Sequence, residues 1–229
     1  MPAGVMALPR SIGGVPGLWL SCPPSRRGLL LYLHGGAYVI GSSRTHKAMV
    51  ARLCALTGAE AFLPDYRLAP EHPFPAAFED ACAAWSGLIE RGYRANEIVI
   101  GGDSAGGGLA LATLAHLCQS RRPPPAAAFA FSPWTDMTLS APSLKENARA
   151  DPLLPAARVA EARDYYLAGA DPRDPRASPL FAAFPGAPPV FLQVALTEIL
   201  RDDTLRMAEH LSSQGADVVT DLWPDAPHV

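Results

Sequence analysis

Several signals that would assign a chain to a membrane, a secretory route or a nucleic acid are missing from this sequence. No apolar run is long enough to span a bilayer. The N-terminus, MPAGVMALPRSIGG, lacks the charged start and apolar core of a signal peptide. The 19 basic and 22 acidic residues are mixed without blocks, so we expect no nucleic-acid surface and no polybasic membrane patch. These absences predict a cytoplasmic protein.

Cysteine is also sparse. The four cysteines are Cys22, Cys54, Cys82 and Cys118, scattered without a CxxC pair. Three of these four lie on predicted amphipathic helices. This spacing favours buried, reduced thiols over disulfides or a metal site, and no cofactor is expected. Hydrophobic residues make up 49% of the chain, enough to bury one substantial core, so we expect a single domain over residues 1–229.

The most informative stretch is NEIVIGGDSAGGGLALATLAHLC, residues 96–118. It begins with a β-branched run typical of a buried strand and continues into an Ala/Leu-rich helix. Between them lies G-x-S-x-G, which in this context indicates a nucleophile elbow with Ser104 at its tip. We expect strained backbone at Ser104, and glycine at 102 and 106 because side chains there would collide with the neighbouring strand and helix. Gly-rich turns of this kind also bind phosphate, so the motif alone leaves both interpretations open.

Outside this stretch, short apolar runs alternate with amphipathic segments. The predicted strands are 15–21, 28–33, 61–63, 97–101, 126–131, 190–195 and 217–223, and the further predicted helices are 44–56, 76–91, 156–168 and 202–213. The alternation predicts an α/β fold, with a mostly parallel, doubly wound sheet and helices on both faces. Residues 133–189 are dense in proline and break the rhythm, so we interpret them as a cap-like insertion over the sheet.

In such sheets the chemistry lies at the carboxyl ends of the strands. The candidates that follow predicted strands are Ser104, the 34–37 loop, Glu198 and His228. Acyl transfer needs a nucleophile, a base, an acid that orients the base, and donors for the oxyanion. Ser104 suits the nucleophile, and His228 suits the base. The candidate oxyanion donors are the backbone N–H groups of Gly35, Gly36 and Ala105.

These segments closely resemble the hormone-sensitive-lipase-like branch of the α/β-hydrolases, carboxylesterases with a GDSAGG elbow. The matching pieces occur in family order: YLHGGAYVIGS (32–42), DYRLAPEHPFPAAFEDA (65–81), GGDSAGGGLALAT (101–113), FSPWTDMT (131–138), ADPRDPRASPL (170–180), EILRDD (198–203) and WPDAPHV (223–229). The resemblance implies a serine carboxylesterase that cleaves short-chain acyl or aryl esters through an acyl-enzyme. It places the family's histidine at His228 and its acid at Glu198. Ala37 replaces a third glycine found in many members, which costs little if its φ is negative.

The acid has alternatives. Asp202 and Asp203 look like helix-start carboxylates that favour the helix dipole, and Asp136 follows another predicted strand. All three stay open beside Glu198. Asp103, next to the nucleophile, is predicted to orient the elbow without transferring a proton.

Other polar residues are predicted to be structural. His34 ends a strand and should fix its loop through hydrogen bonds. His116 and His210 lie on helices, where a packed or solvated histidine is expected. An ion-paired turn is expected to join Asp65, Arg67 and Glu71.

The resemblance also sets expectations for the ends of the chain and for its partners. Family members carry an N-terminal half of the cap and a C-terminal helix after the histidine, so this chain is expected to be shortened at both ends, with a reduced cap and an open, shallow pocket. A small-molecule ester is the expected partner, and an edge strand near the C-terminus makes a homodimer a candidate assembly. The alternative functions are a truncated, inactive hydrolase fragment and a non-catalytic small-molecule binder on the same fold.

Overall fold

The computed structural model describes residue 2 and residues 4–22, 28–120 and 123–229. Within these ranges, eight strands form one sheet in the order β1-β2-β4-β3-β5-β6-β7-β8. The strands are β1 (Met6–Ile12), β2 (Val15–Ser21), β3 (Leu29–Leu33), β4 (Glu60–Pro64), β5 (Ile98–Asp103), β6 (Ala127–Phe131), β7 (Val190–Ala195) and β8 (Val218–Trp223). Strand β2 pairs antiparallel with β1 and β4, and all other neighbours are parallel.

Helices connect the strands of this sheet. They are α1 (Ser43–Thr57), α2 (Ala76–Glu90), α3 (Ser104–Gln119), α4 (Ser143–Glu146), α5 (Ala156–Leu167) and α6 (Arg201–Ser213), with 3₁₀ turns at Ala95–Glu97 and Pro179–Phe181. Helices α2, α3 and α6 pack into one hydrophobic cluster, which contains Leu29, Leu31 and Leu33 of β3. Helix α1 packs into a second cluster, which contains Leu30 and Tyr32 of the same strand. Since neighbouring residues of a strand point to opposite faces, the two clusters lie on the two sides of the sheet. The predicted α/β fold is confirmed.

The edge of the sheet differs most from the sequence prediction. Strand β1 was not predicted, and its residues are mostly exposed, so it lacks the apolar alternation that marks a half-buried strand. A turn at Gly13 and Gly14, both with positive φ, folds β1 back onto β2. At the other edge, five of the six residues of β8 are exposed. Among the described helices, none is long and apolar enough to cross a membrane.

Candidate active site

The turn between β5 and α3 has the geometry that the motif predicts. Ser104 begins α3 with a φ of 52°, in the left-handed region that residues other than glycine avoid. A side chain at Gly102 would meet the carbonyl oxygens of Gly106 and Leu33. One at Gly106 would meet the carbonyl oxygens of Leu33 and His34. Helix α3 therefore packs directly against the end of β3, and Ser104 lies at the carboxyl edge of the sheet.

Glu198 and His228 meet at the same edge. Glu198 lies in the turn after β7, and His228 follows β8. The imidazole Nδ1 of His228 lies 2.5 Å from Oε2 of Glu198. The other carboxylate oxygen, Oε1, accepts hydrogen bonds from Ser132 Oγ at 2.8 Å and from the Ala195 N–H at 2.7 Å. Because the contact with Glu198 occupies Nδ1, only Nε2 of His228 is left for proton transfer.

The third contact of a triad is not made in this structure. His228 is 5% exposed, and its Nε2 is buried with no hydrogen-bond partner among the described residues. Ser104 Oγ therefore forms no hydrogen bond with this nitrogen. Hydrogen bonds between a nucleophile and its base often tighten only when substrate is bound. The structure thus joins two of the three predicted residues directly and places Ser104 at the same edge of the sheet.

The three alternative acids form hydrogen bonds and ion pairs with groups other than His228. Asp203 accepts two backbone N–H groups from the loop after β6, and burial raises its pKa to about 7. Asp202 pairs with Arg201 at 2.7 Å, and Asp136 pairs with Arg206 at 2.9 Å. None of these contacts reaches the imidazole. Among the described carboxylates, only that of Glu198 forms a hydrogen bond with His228.

The loop after β3, residues 34–38, holds two of the three predicted oxyanion donors, Gly35 and Gly36, and the N–H of Gly35 already has an acceptor. The Gly35 N–H donates to Oδ1 of Asp103 at 3.0 Å. The N–H groups of Gly36 and Ala37 donate to none of the residues that the structure describes. Ala105 is the second residue of α3, where a helical N–H has no partner within the helix. Ala37 has a φ of 54°, so the condition under which alanine would cost little at this position is not met.

Asp103 connects this loop to the rest of the sheet. Its carboxylate is 4% exposed and also accepts the Tyr32 hydroxyl at 2.7 Å. Its other oxygen lies 3.1 Å from Nε2 of His46 on α1. Burial lowers the pKa of His46, but the hydrogen bond and the charge of Asp103 outweigh it, and the net pKa is raised. Sequence patterns did not single out Tyr32 or His46, because their contacts with Asp103 join residues far apart in the chain.

Two structural predictions have different outcomes. Nδ1 of His34 lies 2.8 Å from the Gly35 carbonyl oxygen, and the His34 ring stacks on that of Tyr66 with centroids 4.2 Å apart. The prediction that His34 fixes its loop is therefore confirmed. The predicted ion-paired turn is wrong in its partners. Arg67 pairs with Asp80 at 2.8 Å, a residue of α2, and not with Glu71.

Ser104 opens onto a cavity of about 340 Å³. The lining is mostly apolar and comes from the 34–38 loop and its continuation, from α5 and from single residues of two other loops: Ala37, Val39, Ile40, Ser104, Trp134, Leu154, Pro155, Arg158, Val159, Glu161, Ala162, Tyr165 and Leu200. Helix α5 therefore forms one wall of the space in front of Ser104. This wall belongs to the 133–189 segment.

Comparisons with known proteins agree with this architecture. A family model described as alpha/beta hydrolase fold matches residues 30–229. An acetyl-hydrolase of Streptomyces hygroscopicus is 40% identical over 200 residues, which cover 87% of this chain and 67% of that protein. An esterase of Acinetobacter venetianus is 37% identical over 215 residues, which cover 93% of this chain and 70% of that protein.

A solved structure extends the match to the whole chain. The crystal structure of an esterase from the bacterial hormone-sensitive lipase family is 42% identical, with a TM-score of 0.96. The match covers 100% of this chain and 78% of that one. This chain belongs to the α/β-hydrolase fold family, in the group of the hormone-sensitive-lipase-family esterases.

Proposed function

We propose that this chain is a serine carboxylesterase that hydrolyses short-chain acyl or aryl esters through an acyl-enzyme intermediate. The observation that carries the proposal is the buried contact between Glu198 and His228. A carboxylate held by two further donors fixes the tautomer of the imidazole and stabilises the imidazolium that forms when it takes a proton. The relatives named esterase and acetyl-hydrolase support the same class of reaction.

Each predicted residue has one role in the proposed reaction. Ser104 Oγ attacks the ester carbonyl carbon while its proton passes to Nε2 of His228, and Glu198 stabilises the resulting imidazolium. The tetrahedral intermediate collapses, and the alcohol leaves with the proton from His228. Water then attacks the acyl-enzyme with the same imidazole as base, which releases the acid and restores the Ser104 hydroxyl.

The oxyanion donors in this proposal are the N–H groups of Gly36 and Ala105. Gly35 was predicted as a third donor, but its N–H donates to Asp103, so we assign it the role of anchoring the loop. The N–H of Ala37 is the third candidate in its place. Removing one such donor typically costs about 3 kcal/mol of transition-state stabilisation.

The substrate class follows from the cavity in front of Ser104. Its volume of about 340 Å³ and its apolar lining suit a small acyl or aryl group, with charged side chains limited to Arg158 and Glu161 among the lining residues. We further propose that residues 133–189 are a cap-like insertion of a single domain over 1–229, because α5 covers this cavity. A cytoplasmic location and a homodimer stay predictions.

Hydrolysis of p-nitrophenyl acetate and p-nitrophenyl butyrate tests the proposal. Ser104→Ala should abolish hydrolysis of both esters. Ser120→Ala is the matched control, because Ser120 follows the other end of α3 and, among the described residues, its hydroxyl donates to the Leu117 carbonyl alone. It should hydrolyse both esters like the wild type. Undiminished hydrolysis by Ser104→Ala would show that Ser104 is not the nucleophile.

A further inference from the structure

Two consecutive residues of the 34–38 loop hold a left-handed backbone conformation without being glycine. The φ of Ala37 is 54°, and the φ of Tyr38 is 65°. Residues with a Cβ avoid this region, and they stay in it only where the surrounding structure fixes them. Gly36, a proposed oxyanion donor, comes directly before them. The Gly36 carbonyl oxygen accepts the N–H groups of Val39 and Ile40 at 3.0 Å each, so Gly36 and Tyr38 belong to one hydrogen-bonded turn.

The Tyr38 ring is held by a stacking contact. It lies parallel to the ring of Tyr166, with centroids 3.8 Å apart and an interplanar angle of 7°. Both residues are 1% exposed. The Trp134 ring contacts Tyr38 more distantly, at 6.5 Å and 44°. Tyr166 thus covers one face of the side chain that follows the strained Ala37.

Tyr166 is itself anchored from outside the loop. It lies in the last turn of α5, and its carbonyl oxygen accepts the Phe74 N–H at 2.7 Å. The Phe74 ring meets Tyr166 edge-on at 5.8 Å. The preceding residue, Tyr165, lines the cavity in front of Ser104. One turn of α5 therefore contributes to the cavity wall with one residue and contacts the 34–38 loop with the next.

The parallel rings carry most of this contact. Stacking brings the hydroxyls of Tyr38 and Tyr166 close enough to influence each other's pKa, but neither Oη makes a hydrogen bond of good geometry among the described residues. Removing the hydroxyl should therefore leave the stack intact, whereas replacing the flat ring should remove it. This difference separates a role in holding the loop from a polar role of the phenol.

We infer that Tyr166 is a positioning residue, whose ring holds Tyr38 in its left-handed conformation and thereby directs the Gly36 N–H at the developing oxyanion. The inference rests on the proposed function, since it needs an oxyanion at Ser104. Tyr166 contacts the loop through Tyr38 and is not one of the described residues that line the cavity, so its loss should weaken the transition state more than substrate binding.

Steady-state kinetics with p-nitrophenyl acetate test the inference. Tyr166→Leu removes the stack and should lower kcat and kcat/KM together by about 10- to 100-fold, with KM within about threefold of wild type. Tyr166→Phe keeps the ring and should stay within about threefold of wild type in both parameters. A boronic acid that mimics the tetrahedral intermediate should lose affinity for Tyr166→Leu by the same factor as kcat, which a merely structural role would not produce.

Phe74→Leu is the matched control, because it removes only the edge-on ring contact with Tyr166 and keeps both the Phe74 N–H bond to the Tyr166 carbonyl and the stack on Tyr38. Its kcat should stay within about threefold of wild type, even where its melting temperature falls. If circular dichroism shows no cooperative melt for Tyr166→Leu, Tyr166→Met fills a similar volume without a flat ring and takes its place.

Three results would overturn the inference: an unchanged kcat in the stack-free variant, a loss confined to KM, or an equal loss of kcat in Phe74→Leu. The proposed function fails in a different way. It fails if the wild type hydrolyses no ester or if Ser104→Ala remains active, and neither result depends on Tyr166. An active wild type with an unaffected Tyr166→Leu overturns the inference alone.

Discussion

Glutamine at position 198 should stop hydrolysis while leaving the fold in place. Oε1 of Glu198 accepts two hydrogen bonds, from Ser132 Oγ and the Ala195 N–H. In Glu198→Gln the amide oxygen must stay on these donors, so the amide NH₂ faces Nδ1 of His228. Nδ1 must then accept a hydrogen bond, and the ring proton moves to Nε2. An imidazole protonated on Nε2 cannot take the proton of Ser104.

The size of this effect follows from the tautomer argument. Trapping the base in the wrong tautomer costs about 10⁴-fold in kcat in serine hydrolases that use such a triad. At about 1.4 kcal/mol for each factor of ten, the loss is about 5 to 6 kcal/mol of transition-state stabilisation. The fold should survive, because glutamine has nearly the same shape and both ends of its amide keep partners, the oxygen at Ser132 and Ala195 and the NH₂ group at Nδ1 of His228.

The assay is hydrolysis of p-nitrophenyl butyrate, followed beside a thermal melt. Asp202→Asn is the control, because Asp202 is a nearby carboxylate paired with Arg201, and its variant should keep kcat within about threefold. The kcat of Ser132→Ala should lie between those of Glu198→Gln and Asp202→Asn, with a loss of about tenfold, because Oε1 of Glu198 keeps its hydrogen bond from the Ala195 N–H. A folded Glu198→Gln with wild-type kcat, or a loss in Asp202→Asn of the same size, would refute the reasoning.

Two further predictions concern stability. Gly102→Ala should lower the free energy of unfolding by more than about 2 kcal/mol in urea titrations, because its Cβ would meet backbone oxygens of two elements. Gly28→Ala, whose Cβ would lie 3.9 Å from its nearest neighbour, should be neutral, and equal losses in both variants would contradict the packing argument. In His46→Gln, the free energy of unfolding at about pH 8 minus that at about pH 6 should be more positive than in the wild type. The raised pKa of His46 means that its pairing with Asp103 stabilises the fold fully below about pH 6 and that this stabilisation is lost as the pH rises through the folded-state pKa. His34, whose pKa is lowered mainly by burial, contributes with the opposite sign in both proteins. Urea titrations at about pH 6 and about pH 8 give the change in the free energy of unfolding with pH for the wild type and for His46→Gln. The same change in both proteins would contradict the stabilising role of the His46–Asp103 pair.

Features set by local chemistry could be predicted from the sequence. The elbow is one of them, because the spacing of Gly102, Ser104 and Gly106 is read directly from one strand–turn–helix segment, although the atoms that exclude a side chain at these glycines come mostly from the end of β3. The strand at 190–195 is another, since an apolar run of that length between turns has few alternatives. The position of Glu198 follows from the end of this strand and from the resemblance to the family.

Features set by residues far apart in the chain could not be predicted. The Gly35 N–H looks free in the sequence, but it donates to Asp103 from the neighbouring strand β5. Arg67 pairs with α2, which no local pattern indicates. The left-handed φ of Ala37 depends on what packs on the next residue, and the packing residue comes from α5. In each case the deciding partner is chosen by the topology of the sheet and not by sequence spacing.

Labelling with a fluorophosphonate, followed by peptide mass spectrometry, tests most directly whether Ser104 is an activated nucleophile served by His228. We expect one phosphonyl adduct on Ser104 in the wild type, no adduct there in Ser104→Ala, and labelling slowed by at least about 10³-fold in a folded His228→Ala. An unlabelled Ser104, or labelling at the same rate in His228→Ala, would contradict the account and leave a ligand binder or an inactive fragment as the better description of this chain.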